Sequence, residues 1–372
     1  MSRVKHLLGD ILYYEQPTKY IVADTNYNDE YQTPVLTAGK SFILGYTNEL
    51  EGIYTNLPVI IFDDFTTESK FVDFPFKVKS SAMKLLTVNK EIADIRYMYY
   101  LLQTLNVLSN QHKRYWISTY ANIEIDLPPL HIQEQIADTL DKADTLRRKD
   151  QELLTKYDEL AQSIFYDMFG DPKLNEKKWD IITLGDCINY IGDIGSNGAN
   201  AVVSKNLQMT DIEDYALMIR TTNLSNNDFK NNVKYVSKET YDFFSKSKIY
   251  GGEIIMNKIG SAGDFWIMPT LNRPVSLGLN QFVIRLKELN SSYVYAYLST
   301  KYCKAIIKNS LNGAVTKSIT KSAVKEIPLI YPPLSLQNKY ETILKKIESQ
   351  KSKLDMFLSK DLFSNLLNKY FS

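Results

Sequence analysis

The chain has 372 residues, with 44 Lys and Arg against 43 Asp and Glu and a formal net charge of +1. That length suggests two or three domains, and an apolar content of 44% excludes a disordered chain. Two separated cysteines, Cys187 and Cys303, make no disulfide framework and fit a reducing, cytoplasmic setting, while three histidines argue against a Cys/His metal site.

The start, Met1-Ser2-Arg3-Val4-Lys5-His6, lacks the apolar core of a signal peptide. Leu8-Gly9-Asp10-Ile11 follows. β-Branched or aromatic runs bounded by turn residues at Thr33–Leu36, Pro58–Phe62 and Phe71–Val78 then read as strands. Apolar runs such as Val59–Phe62 are far too short to span a bilayer. Gly39-Lys40-Ser41 resembles the end of a phosphate-binding loop, but Pro34 stands where that loop needs its first glycine, which leaves a turn between strands. Asp63, Asp64 and Glu68, followed by Lys70, are carboxylates of the kind that hold Mg²⁺ in some nucleases. Their spacing is short for that arrangement, and an acidic turn after a buried strand is the better reading. Lys70, Lys77, Lys79 and Lys84 form a charge-dense face that reads as solvated. A short helix is expected at Ile95–Leu105, with Tyr97 and Tyr100 in the core. His112-Lys113-Arg114-Tyr115 then combines cationic and aromatic groups.

After Pro128-Pro129-Leu130 the period changes to that of a helix, from near Leu130 to Met168. Its apolar stripe is Ile136, Leu140, Ala143, Leu146, Leu153, Leu154, Tyr157, Leu160, Ala161, Ile164 and Met168, interrupted by Arg147 and Asp150. Gly170 and Pro172 are the stop signal. About 39 residues at 1.5 Å each make a rod of roughly 58 Å. In the second half, Gly251–Met256 and Gln281–Leu286 read as strands. Ser292–Lys308 reads as a helix with Tyr293, Tyr297 and Tyr302 in the core. A second long helix is expected from Ser335, as N-cap, to the chain end. Its stripe is Leu336, Tyr340, Ile343, Leu344, Ile347, Leu354, Phe357, Leu358, Leu362, Leu366 and Tyr370. Neither helix can leave such a stripe in water, so the two are expected to pack as an antiparallel coiled-coil pair. The alternative is that each covers its own domain.

The chain repeats itself. Leu8-Gly9-Asp10-Ile11 recurs as Leu184-Gly185-Asp186-Cys187-Ile188, and Pro128-Pro129-Leu130-His131-Ile132-Gln133 as Pro332-Pro333-Leu334-Ser335-Leu336-Gln337. The offsets of 176 and 204 residues are too long for a solenoid. The expected fold is therefore α+β: two mixed domains at 1–127 and 171–331, joined by long helices at 128–170 and 332–372. The net charge of +1 conceals an asymmetry: −3 over 1–130, −5 over 131–172, +6 over 173–334 and +3 over 335–372. No dinucleotide fingerprint, Ser/His/Asp order or Asn-Pro-Pro-aromatic methyltransferase string is present, so the chain reads as a binder and not a catalyst.

The stretch from Leu127-Pro128-Pro129-Leu130 through Gln133, Ile136-Ala137 and Leu140-Asp141-Lys142-Ala143-Asp144 to Ser163-Ile164-Phe165 and Met168-Phe169-Gly170-Asp171-Pro172 resembles the central region of type I restriction–modification specificity subunits. Trp179 and Leu184-Gly185-Asp186 resemble the start of their second target-recognition domain. Gly251–Ile255, Lys258–Ser261, Thr316–Lys321 and His112–Ile117 resemble strings that recur in those domains. The second long helix departs from the pattern, lacking the Ile-Ala and Leu-Asp strings and the Phe-Gly-Asp close of the first.

The resemblance implies a non-catalytic DNA-recognition subunit with two target-recognition domains on two antiparallel helices. Each domain would read one half of a bipartite, asymmetric site in double-stranded DNA, and the helices would set the gap. Implied partners are two modification (methyltransferase) subunits and a restriction/translocase subunit, with no membrane role. No cofactor is expected in this chain; S-adenosylmethionine, ATP and Mg would belong to the partners. For DNA contacts we expect His112, Lys113, Arg114 and Tyr115 in the first domain. In the second we expect Lys258, Ser261, Thr316, Lys317, Ser318 and Lys321 at the backbone, with Arg220 and Asn223 at base edges. Two other readings stay open: a metal-dependent nuclease using Asp63, Asp64 and Glu68, and a scaffold that binds no DNA.

Overall fold

A computed structural model describes residues 4–37, 39, 41–105, 114–356 and 359–371, with the backbone alone at 355, 356 and 359–361. It has the α+β architecture read from the sequence, and it divides into two compact units: Met1–Leu153 with Met356–Ser372, and Leu154–Asp355. The end of the chain thus belongs with its beginning.

In the first unit, strand Val4–Leu7 pairs antiparallel with Glu124–Leu127. A four-stranded antiparallel sheet runs in the order Leu12–Glu15, Met83–Val88, Val59–Asp63, Ser69–Val72. A three-stranded sheet sets Thr33–Leu36 between Ile43–Thr47 and a parallel Lys77–Val78. The second unit repeats this plan. Asp180–Thr183 pairs with Pro328–Tyr331. The four-stranded sheet is Ile188–Gly192, Gln281–Leu286, Ile254–Asn257, Phe265–Ile267. Ala216–Ile219 lies between Lys234–Val236 and a parallel Val275–Leu277, which also carries Lys248–Ile249. The repeat is therefore one of strand order as well as of strings.

Leu-Gly-Asp has a steric reason in both copies. A Cβ on Gly9 would sit 3.0 Å from the Ala121 carbonyl oxygen, and one on Gly185 would sit 3.0 Å from that of Lys325. Pro-Pro-Leu-x-x-Gln has a polar reason. Gln133 is fully buried; its Nε2 donates to Pro128 O (2.8 Å) and Ile92 O (3.0 Å), and its Oε1 accepts from Asp94 N (3.0 Å). Gln337, equally buried, donates to Pro332 O (2.8 Å) and accepts from Asn290 N (3.0 Å). Asp94 and Asn290 cap the helices Ile95–Thr104 and Ser291–Ser299. Each glutamine thus ties the start of a long helix to the start of a short one.

The central helix runs Leu130–Phe169 and ends at Gly170, whose φ of +79° is the left-handed stop expected of glycine. Two further helices, Leu334–Met356 and Ser359–Phe371, follow the second Pro-Pro. In the first unit, Leu140 and Ala143 of the central helix pack with Phe363, and Arg147 lies 5.1 Å from that ring's centre. Phe371 meets Tyr97, and Phe371 and Ile136 both border the same cluster. In the second unit, Phe165 and Phe169 pack on Tyr340, and Asp158 accepts from Lys351 Nζ at 2.7 Å. Within each unit, rising numbers on the central helix meet falling numbers on its partner, so the pairing is antiparallel. Leu146, Leu153 and Leu160, expected in the helix pair, are instead 49%, 41% and 46% exposed and belong to neither helix-contact cluster. Leu154, Tyr157, Ile164, Leu344 and Leu354 are partly buried, and Ile347 is buried. Phe357 and Leu358 lie outside the described residues.

Several expectations are corrected: Phe71–Val78 is not one strand but the separate strands Ser69–Val72 and Lys77–Val78, and the second long helix is two, Leu334–Met356 and Ser359–Phe371. Ser292–Lys308 is two helices, Ser291–Ser299 and Lys301–Asn309, because Thr300 is extended (ψ 150°) and its Oγ1 caps Cys303 N at 3.2 Å. Ser335 lies inside its helix, which starts at Leu334. Lys77 and Lys84 are buried, not solvated: Lys77 pairs with Glu49 at 2.8 Å and Lys84 with Asp64 at 3.3 Å. Tyr97, Tyr100, Tyr293 and Tyr297 are core residues, and Tyr302 is half-buried. Among the described residues, no helix is long and apolar enough to cross a membrane.

The glutamine joints make a stability test. Gln337→Leu keeps the volume but strands the Asn290 N–H and the Pro332 carbonyl. Denaturant unfolding should show a loss of about 2–4 kcal/mol; an unchanged midpoint would show that Gln337 carries no such load.

Candidate nucleic-acid interface

The sequence-predicted residues of the second unit converge on neighbouring loops. Strand Ile254–Asn257 runs into Lys258-Ile259-Gly260-Ser261, and that loop is zipped to the 312–319 loop. Gly260 N donates to Lys317 O (3.1 Å) and Ile319 N to Lys258 O (2.9 Å). Asn312 and Ser318 exchange backbone hydrogen bonds of 2.8 Å, closing a turn that leaves Val315, Thr316 and Lys317 exposed. Ser261 is exposed and Ser318 half-buried. Lys258 N donates to Asn280 O (2.8 Å), and Thr221 Oγ1 donates to Asn257 Oδ1 (2.9 Å), which brings the Arg220 segment alongside.

Arg220, Thr221, Asn280 and Gln281 line a cleft of about 270 Å³. Arg220 Nε, Asn257 Nδ2 and Gln281 Nε2 are buried with no hydrogen-bond partner among the described residues. All three are donors covered by protein and not turned to the cleft, and the Arg220 guanidinium also donates to Asn232 O. Asn223 is placed otherwise. It is 3% exposed, its Oδ1 accepts from Arg220 N (3.1 Å), and its Nδ2 donates to Asp228 O (3.2 Å) and Asn232 O (3.4 Å). Its amide is spent on holding the turn, which removes it from the base-reading set.

Lys258 and Lys321 are not free cations. Lys258 Nζ is 2.5 Å from Asp193 Oδ2, and Lys321 Nζ is 2.8 Å from Asp193 Oδ1 and 2.7 Å from Ser196 Oγ. Burial opposes ionisation of Asp193, but hydrogen bonds from Lys258, Lys321 and Ser196 outweigh it and hold the carboxyl at about 2. The contribution of this ion cluster to stability is therefore present above the ordinary carboxylate range and is lost as pH falls through about 2. Asp193 is a residue that sequence reading missed. Only its fold neighbours mark it.

In the first unit the repeat-equivalent loop approaches the same place. Tyr115 N donates to Asp64 O (3.0 Å), as Ile319 N does to Lys258 O. Trp116 N donates to Asp64 Oδ1 (2.8 Å). Arg114 is exposed. Tyr115 is 4% exposed and belongs to the first unit's core, so its ring is not offered to a duplex. His112 and Lys113 lie outside the described residues, as does Lys40.

The carboxylates considered for metal binding serve the fold. Asp63 Oδ1 accepts from Phe65 N and Thr66 N (2.8 Å each), forming the turn, and Asp64 is 2% exposed against Lys84. Among the described residues, no group of three or more His, Cys, Asp or Glu side chains converges on one point. The nuclease reading thus has no support in the geometry.

Residues 5–156 and 176–355 match the family model described as the type I restriction modification DNA specificity domain. The specificity subunit of the type I restriction enzyme EcoR124I/EcoR124II of Escherichia coli is 32% identical over 360 residues, covering 92% of this chain and 86% of that one. A type I restriction-modification S subunit from M. genitalium shares the fold, with a TM-score of 0.60 at 16% identity over 100% of this chain and 96% of that one. A chain from a structural study of complex assembly and conformational transition in the type I R-M system gives 0.51 at 15% identity, over 100% and 97%.

Asp64→Ala separates a structural role from a chemical one. Removing one partner of a buried ion pair leaves Lys84 uncompensated, so unfolding should be easier by about 3–5 kcal/mol. A fully stable variant would contradict the assignment.

Proposed function

The chain belongs to the type I restriction–modification DNA specificity family, and on that premise we propose that each of its two globular parts reads one half of a bipartite, asymmetric site in double-stranded DNA. The duplicated strand order supplies two similar readers in one chain, whose surface loops are free to differ, so the two half-sites need not match. One observation carries the reading for the second domain: Lys258, Ser261, Thr316, Lys317 and Ser318 lie on two loops zipped together beside the Arg220 cleft. Exposed Arg114, on the equivalent loop, is the corresponding group of the first domain.

In this reading the chain performs no chemistry. Two methyltransferase subunits dock on the long helices, bind S-adenosylmethionine and methylate adenine after it is flipped from the duplex. A restriction/translocase subunit supplies ATP- and Mg-dependent cleavage. The complex works on DNA in the cytoplasm. The family membership and the antiparallel helix pairing in both units support this assembly.

Methylation mapping of DNA from cells carrying the subunit and its modification partner tests the whole reading: it should return two defined half-sites at one fixed gap. Methylation without sequence preference would refute it. At the residue level, Lys317→Ala should make the salt dependence of binding shallower by about one charge while leaving sequence preference intact. Arg114→Ala should weaken binding to cognate DNA; equal affinity before and after, for cognate and scrambled duplexes alike, would remove Arg114 from the interface.

A further inference from the structure

Asp193 lies 65 residues before Lys258 and 128 before Lys321, yet one carboxylate receives both ammonium groups. Its own position is fixed locally: Asp193 N donates to Ser196 Oγ (3.1 Å), and Ser196 Oγ donates back to Asp193 Oδ1 (2.6 Å). Side-chain exposure rises outward through the cluster, from 12% at Asp193 to 17% at Lys258 and 35% at Lys321. Phe282 lies beneath, with its ring centre 5.9 Å from Lys258 Nζ and 5.7 Å from Lys321 Nζ. Each ammonium carries three donors. The contacts with Asp193 and Ser196 engage one on Lys258 and two on Lys321. Two cations to one anion leave an excess positive charge, with donors to spare, at the base of the exposed loops.

The first unit shows what a purely structural version looks like. Asp64 occupies the place of Lys258: each follows the central strand of its sheet, and each carbonyl accepts from the zipped loop. There the charge is reversed and the pair is closed. The side chains of Lys84 and Asp64 are 2% and 3% exposed, one cation to one anion. The second unit opens the same position to solvent and doubles its cations.

We propose that Asp193 is a positioning residue for DNA, holding Lys258 and Lys321 in register so that together they grip a single backbone phosphate of the second half-site. This rests on the DNA-reading function argued above. Without the carboxylate, two ammonium groups repel and long side chains wander, since lysine carries much rotamer entropy. They still attract phosphate, but they no longer fix where the duplex sits. Phosphate contacts set register, and base contacts can discriminate only in register. Asp193 therefore trades raw electrostatic attraction for alignment, and its removal should move affinity and specificity in opposite directions.

The test uses the full chain assembled with its methyltransferase subunits, a duplex carrying the mapped site and one with the second half-site scrambled, over a range of salt. Asp193→Asn should bind the scrambled duplex as tightly as the native complex or more so, while discrimination falls about tenfold. Asp193→Glu should restore much of it. Discrimination within twofold of native for Asp193→Asn would overturn the proposal, and so would a uniform loss on both duplexes. Should Asp193→Asn fail to fold, Lys258→Met, Lys321→Met and their double variant decide. A shared phosphate gives non-additive losses and a salt dependence shallower than native; additive losses, or an unchanged slope, overturn it. A native complex that does not distinguish the two duplexes would bring down the DNA-reading function itself, and this inference with it.

Discussion

A helix with a long apolar stripe cannot stand alone in water, and this constraint organises the chain. The central helix, Leu130–Phe169, has more than one face to cover along its length. Its first turns settle on the first unit's core through Ala137 and Leu140, and its last turns on the second's through Phe165 and Phe169. The C-terminal helices cover further parts of the stripe, with Tyr340 in one unit and Phe363 in the other, while Leu146, Leu153 and Leu160 stay exposed. A chain folded by this rule must send its end back to its beginning. That is why Met356–Ser372 belongs to the same compact unit as the first strand.

Packing alone does not set the angle at which a long helix leaves its domain, because apolar contact is non-directional. The buried glutamines do. Gln133 engages two backbone carbonyls and one amide and Gln337 one of each, and each reaches the capping residue of the short helix beside it. Hydrogen bonds of this kind are modest in net energy but costly to break when buried. The two prolines before them remove backbone donors at the helix start, where donors have no helical partner. Pro-Pro-Leu-x-x-Gln is therefore a joint whose parts are mutually necessary.

That joint was legible in the sequence because its residues are close together and occur twice. So were most of the strands and the antiparallel pairing. What escaped depends on contacts distant in sequence. Lys77 and Lys84 read as a solvated face because their partners Glu49 and Asp64 come from other strands and loops. Asn223 looks like a base reader until its amide is seen closing a turn with Asn232. Tyr115 adjoins exposed Arg114, yet its ring is turned into the core. In each case the chemistry of the side chain was read correctly. What differed was whether solvent or protein receives it.

The net charge of +1 takes on a different meaning beside the structure. Charge in this molecule is allotted by domain and then by position within the repeat. The same step after the same strand carries Asp64 in one unit and Lys258 in the other. In the first, the acid neutralises a buried lysine and the loop above depends on exposed groups such as Arg114. In the second, the cation is joined by Lys321, and an acid from a different segment is needed to keep the two together. A duplicated backbone tolerates this exchange because the loop is held by main-chain bonds, Tyr115 N to Asp64 O and Ile319 N to Lys258 O, which do not depend on the side chain. The frame stays constant while the charge above it varies. Two readers built from one plan can thus present different electrostatic surfaces to the two halves of one site.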